Sequence, residues 1–251
     1  MAESTQLWLN LRHQVLQQDP RGRSYWHPVT TPKTLPTAET AILICDMWDN
    51  HWSRGAAERC AEMAVRMNEV VRAARGHGVA IIHSPSETME FYAGAPGRRR
   101  MLETPRVAPP QPIAHADPPL PIDDSDHGSD TGETSWHTAW TRQHPAIVVE
   151  EQDAISDDGE EIYSFLRHRG LKQLIIMGVH TNMCVLGRSF GIKQMVRWGV
   201  PIALARDLTD TMYNPARPPY VSHDEGTRLV VEFIEKFWCP TIESGDLVRV
   251  V

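Results

Sequence analysis

The chain has 251 residues, 41% of them hydrophobic, and a formal net charge of −7 from 32 acidic and 25 basic side chains. That is enough apolar material for one large core, and the acidic balance excludes nucleic acid or an anionic membrane as main partner, since both need a basic face. No apolar run approaches the ~18 residues of a membrane helix, and the cysteines at 45, 60, 184 and 239 form no C-x-x-C pair.

In chain order, residues 1–6 lack the basic-then-apolar pattern of a secretory leader. A cytoplasmic protein with free thiols is therefore expected. Residues 1–38 read as a polar, proline-rich arm with Trp8, Tyr25 and Trp26 as anchors. The continuous apolar run from Ala41 to Cys45, ending at Asp46, predicts a strand buried on both faces. A helix follows over 56–76, then a second buried strand over 79–83. Residues 93–145 break the rhythm with eight prolines between 96 and 121 and an acidic stretch from Asp123 to Asp130, predicting a long loop insertion. Alternation then resumes: strands at 146–150, 173–177, 200–205 and 241–242, and helices at 159–169, 183–198 and 223–237.

Such alternation implies a parallel sheet with helices on both faces, which binds ligands at the carboxyl ends of its strands. Three strand ends carry chemistry: Asp46, the pair Glu150 and Glu151, and the loop leading to Cys184. The strand 173–177 breaks at Gly178 and delivers Cys184 to a helix start, where unpaired N–H groups and the helix dipole favour thiolate. A thiolate beside free N–H donors is a nucleophile with a place for an oxyanion. A carboxylate ending an apolar strand must be bonded, and near a thiol Asp46 serves as a general base.

Two other chemistries fit less well. Gly187-Arg188-Ser189-Phe190-Gly191 matches G-x-S-x-G, with Asp207 or Asp210 and His223 following, but Ser189 falls inside a predicted helix rather than on the sharp turn after a strand. His51, His83, Glu87, His115, Asp124, Asp126 and His127 offer metal-ligating atoms without a zinc, iron or calcium spacing. Neither a metal nor another cofactor is indicated.

The segment Ile42-Leu43-Ile44-Cys45-Asp46-Met47-Trp48-Asp49-Asn50 and the run from Gly178 to Val185 resemble the two best-marked motifs of the isochorismatase-like cysteine hydrolases, which include nicotinamidases and N-carbamoylsarcosine amidases. The resemblance covers roughly residues 38–240. It implies a three-layer α/β/α fold with a mainly parallel six-stranded sheet, in one domain spanning 1–251. It also implies Cys184 as nucleophile, Asp46 as proton shuttle, a cis peptide between Val179 and His180, and an oxyanion hole from the N–H groups of His180 and Cys184. The implied activity is hydrolysis of an amide or carbamoyl C–N bond in a small molecule by a homo-oligomer. The family's catalytic lysine falls at Glu151, beside Glu150. Glu151 then binds a cationic substrate, or another residue takes the position, or the chain is a non-hydrolytic binder; His180 and Arg206 are the candidate replacement cations. The nicotinamidase Asp-x-His metal element is replaced by His83-Ser84-Pro85-Ser86-Glu87. Trp48, His51 and Trp136 are the expected pocket walls, since aromatic side chains line small-ligand sites.

Overall fold

The computed structural model describes residues 5–250; residues 1–4 of the expected arm, and residue 251, lie outside them. The polar amino-terminal stretch is a hairpin of two 13-residue strands, β1 (Gln6–Gln18) and β2 (Ser24–Pro36). The Asp19 carboxylate caps its turn by accepting from the N–H groups of Arg21 and Arg23. The expected anchors do not hold it. Trp8 and Tyr25 are 47% and 44% exposed, and Trp26 only leans on the edge of Phe237. Side chains alternate across a strand, so Leu7 and Leu9, flanking Trp8, go fully into the core instead.

The apolar runs fold as read. β3 (Thr40–Cys45) is buried at every position and leads through α1 (Arg54–Gly76) to β4 (Ala80–Ser84). After α2 (Pro96–Glu103), inside the insertion, come β5 (Ala154–Ile155), α3 (Gly159–His168) and β6 (Gln173–Val179). Then follow α4 (Ile192–Arg197), β7 (Ile202–Asp210), α5 (His223–Phe237) and β8 (Thr241–Ile242). The sheet order is β2-β1-β8-β7-β6-β3-β4-β5. Strands β3 to β8 are mutually parallel, as expected of a six-stranded sheet, and the hairpin extends them antiparallel through β1 and β8 to eight.

Alternate residues of each central strand serve opposite faces. Leu43, Leu174 and Ile176 pack under α3, α4 and α5, while Ile42, Ile44 and Ile175 pack under α1 with Leu7 and Leu9 of the hairpin. Two expected elements differ. Residues 146–150 are not a strand: Ile147 turns back to bond the His144 carbonyl, the Val148 N–H goes to Asn68, and the sheet edge is taken by Ala154 and Ile155. The helix expected over 183–198 is split, because the turn between its parts receives the start of α3. There Ser189 Oγ accepts the Gly159 N–H at 3.0 Å, and a Cβ on Gly159 would sit 2.0 Å from the Ser189 carbonyl oxygen. Ser189 is thus committed to packing two helix ends.

Candidate active site

The chain runs outward from β3 to β5, then returns to the other side of β3 with β6, so β3 and β6 are the switch point where a parallel sheet opens a crevice. Cys45 ends opposite Gly178. Gly178 has φ +117°, and a Cβ there would lie 2.0 Å from the Cys45 carbonyl oxygen, so only glycine lets the strand ends come this close. The Val179–His180 peptide is cis, and residues 181–185 form one π-helical turn carrying Cys184.

Side chains within the motif fix that turn. Thr181 shares a 2.7 Å bond with Thr209, and the Asn182 amide accepts from the Met212 N–H and donates to Asp124 in the insertion. The N–H groups of Met183 and Val185 turn back to the His180 carbonyl, while the His180 N–H faces the Cys184 sulfur.

Asp46 follows β3 in the left-handed region, at φ +46°, an uncommon conformation for a side chain-bearing residue. Its carboxylate is fully buried and held on both oxygens: the Ser86 N–H donates at 2.7 Å and Arg188 Nε at 2.9 Å. Burial raises the Asp46 carboxyl above its usual range, against the pull of Arg188, the Ser86 N–H and the neighbouring Cys184 thiol. Burial, and then the Asp46 charge, push the Cys184 thiol far above an ordinary thiol, with Arg188 countering in part. The expectation of a resting thiolate is therefore reversed, because desolvation and a neighbouring carboxylate outweigh the N–H groups of the turn.

Arg188 was missed as the site's cation. It lies one helical turn beyond Cys184, bonded to Asp46, with its guanidinium 5.9 Å from the centre of the Trp48 ring and 3.4 Å from Glu87. The signal in sequence was the i, i+4 spacing from Cys184. Neither expected substitute serves. Arg206 pairs with Glu243 at 2.6 Å on β7, and burial holds His180 down to about 3, so it is neutral.

Above this floor lies a cavity of about 120 Å³ that reaches Cys184. Trp48 and Trp140 make its wall, stacked at 4.0 Å between ring centres and 10° between planes, with His51 nearly parallel to Trp140. The end of the insertion is tied back beside β3, where Asp49 accepts from the N–H and hydroxyl of Thr141, and this places Trp140 over Trp48. Trp136 lies at the rim, 56% exposed, and Met183 and Met212 complete the apolar lining. Burial lowers His51 to about 4, so it too is neutral.

Of the residues singled out from sequence, Cys184, Trp48, His51, Trp136 and His180 line this cavity, and Asp46 and Val179 line a small hollow beneath it. Glu150 and Glu151 are not brought there. They precede β5, where Glu150 pairs with Arg75 at 3.3 Å and exposed Glu151 offers only its backbone carbonyl to Arg100. Residues 146–150 do not extend the sheet, so the gapless count back from Gly178 does not deliver Glu151 to a strand end. A wider surface hollow of about 490 Å³, between Arg99, Phe165 and Arg169, lies over α2 and α3 and contains no part of the thiol site. Among the described residues, no group of three or more His, Cys, Asp and Glu converges as a cation site, and no helix is long and apolar enough to cross a membrane.

The sequence matches the isochorismatase domain over residues 40–214. The structure is similar to a cysteine hydrolase from Pseudomonas syringae pv. phaseolicola 1448A, with 16% identity, 86% of this chain and 93% of that chain covered, and a TM-score of 0.54. It also matches an isochorismatase-like hydrolase from Alkaliphilus metalliredigens at 14% identity, covering 85% and 98%, TM-score 0.47. An isochorismatase family protein from Burkholderia thailandensis matches at 15% identity, covering 84% and 96%, TM-score 0.47. No curated protein matches the chain.

Proposed function

The chain belongs to the isochorismatase family, and from that premise we propose that it is a cysteine hydrolase cleaving an amide or carbamoyl C–N bond of a small molecule. The observation that carries this reading is the buried set Cys184–Asp46–Arg188, with the guanidinium on the carboxylate and the thiol beside it at the cavity floor. Arg188 supplies the positive charge expected of the family's lysine, in place of the sequence candidates His180 and Arg206.

The resting site holds a thiol and a carboxylate. As substrate enters, the S–H proton passes to Asp46 while the sulfur attacks the carbonyl carbon. The oxyanion is taken by the N–H groups of His180 and Cys184, held by the turn after β6. Protonated Asp46 then gives its proton to the leaving nitrogen, the C–N bond breaks, and a thioester remains on Cys184. Water loses a proton to Asp46, attacks the thioester and releases the acid, and the thiol recovers its proton. Arg188 holds the carboxylate in place and offsets its charge throughout.

Intact-protein mass spectrometry, with acid quenching during turnover of a panel of amides and ureas, tests this. The acyl mass should appear on wild type and vanish in Cys184→Ala, together with turnover. No turnover, no adduct and unchanged ligand binding in Cys184→Ala would establish a non-hydrolytic binder instead.

A further inference from the structure

We propose that the surface hollow over α2 and α3 is a second ligand site, which takes a small anion carrying two or more phosphate groups. It lies apart from the thiol site and does not depend on the hydrolase reading. Charge, frame and size carry the inference.

Arg99 and Arg100 from α2 and Arg169 from the end of α3 line the hollow with His168, against one acidic side chain, Glu103. Among the described residues, none of the three arginines pairs with a carboxylate, although the chain holds 32 acidic side chains to 25 lysines and arginines. The neighbouring arginines are neutralised: Arg98 and Arg106 both pair with Glu161, and Arg106 also reaches Asp158 at 3.7 Å. Guanidinium groups left together repel. In a chain with carboxylates to spare, this cluster is left for an anion from outside.

The frame is fixed beforehand. Arg100 donates to the carbonyls of Glu151 and Asp153, at 3.0 Å and 2.5 Å, which holds its guanidinium without cancelling its charge. Arg169 lies over the Phe165 ring, 5.7 Å from its centre, and such stacking orients a guanidinium. Beneath them α2 is pressed onto β5: a Cβ on Gly97 would lie 2.7 Å from the Asp153 carbonyl oxygen, and Met101 is buried. Charges held before the ligand arrives lower the ordering cost of binding.

The hollow measures about 490 Å³, within the ~300–1,000 Å³ of small-ligand sites. Its cations are arginines, with no lysine among the lining residues, and the arginine fork matches phosphate oxygens two at a time. A lone phosphate engages one fork. A chain of phosphates meets several at once, so charge and size together favour the larger anion.

Isothermal titration calorimetry on the full chain tests this, with orthophosphate, pyrophosphate, tripolyphosphate and ADP as probes. Tripolyphosphate should bind saturably and at least about tenfold tighter than orthophosphate, and added salt should weaken it. Arg99→Glu and Arg169→Glu, both at exposed positions, should each cost at least about tenfold, and either variant serves if the other does not fold. Arg21→Glu makes the same change of net charge at the hairpin turn, and Cys184→Ala removes the thiol; both should bind within about twofold of wild type. ADP tighter than pyrophosphate would support a nucleotide as the ligand, and equal affinity would support a bare phosphate chain. No saturable binding, no preference over orthophosphate, or an equal loss in Arg21→Glu or Cys184→Ala would overturn the proposal. Absence of turnover in wild type with these ratios intact would overturn the hydrolase reading alone.

Discussion

Two buried ionic clusters lie on either side of β4, and they differ in whether their bonds are complete. Beside β5, Asp153 accepts from Arg75 at 2.7 Å and 3.0 Å, from the Glu150 N–H at 2.8 Å, and lies 2.9 Å from His83 Nε2. His83 is closed on its other nitrogen by Gln143 at 2.9 Å. Burial works to raise the Asp153 carboxyl, yet the bonds from His83 and Arg75 hold it below the usual range. At the site, Asp46 also has a guanidinium and a backbone N–H, but its carboxyl stays raised by burial, with a thiol beside it and His180 Nε2 unpartnered nearby. A cluster closed on itself ties the fold together. One left with a movable proton and an unmet bond beside a cavity is set up for a ligand.

The sharpest way to break that contrast is to remove each carboxylate. Asp46→Asn should lower kcat about 10³-fold or more, by taking away the base, with little loss of stability because the side chain it replaces is held against its tendency to protonate. Asp153→Ala should do the reverse, costing ~3–5 kcal/mol in urea unfolding by leaving Arg75 without its partner, while the folded fraction keeps kcat/KM within about twofold. If both variants lose activity and stability alike, the division between the clusters is wrong.

Arg188→Ala should reduce kcat/KM about 10²-fold, and Arg188→Lys should restore roughly tenfold of it by returning the charge without the guanidinium geometry. Equal activity of the two variants would remove Arg188 from its role. The pH profile is a smaller effect with a definite sign. Asp46 must be ionised to act, so kcat/KM falls as pH drops through its pKa, and burial displaces that acid limb above an ordinary carboxylate. His51 and His180, at about 4 and about 3, stay neutral and add no limb between about pH 5 and 8. An acid limb at or below the ordinary carboxylate range would contradict the burial of Asp46. The smallest change is expected from Glu151→Gln, with kcat/KM within about twofold of wild type; a tenfold loss would restore Glu151 to the site.

Local chemistry made much of this readable before folding. Apolar runs that can leave neither face in water became β3, β4 and β6, and a glycine break after one of them delivered Cys184, since periodicity and glycine's freedom are properties of a few adjacent residues. The register of 146–155 was not readable, because the apolar residues Ile147 to Val149 fit a strand as well as Ala154 and Ile155 do, and only pairing with β4 chose between them. The hairpin was hidden for a similar reason: β2 is polar and carries Pro28, Pro32 and Pro36, and becomes a strand by pairing with β1.

The sequence by itself determined the parallel α/β class and the strand ends that carry Asp46 and Cys184, because burial on both faces and a forced turn are written in neighbouring side chains. The tertiary structure alone decided which charge serves the site and in what state the thiol rests. Arg188 meets Asp46 across 142 positions of chain, and the pKa of a buried group depends on everything packed around it, whatever its distance in sequence.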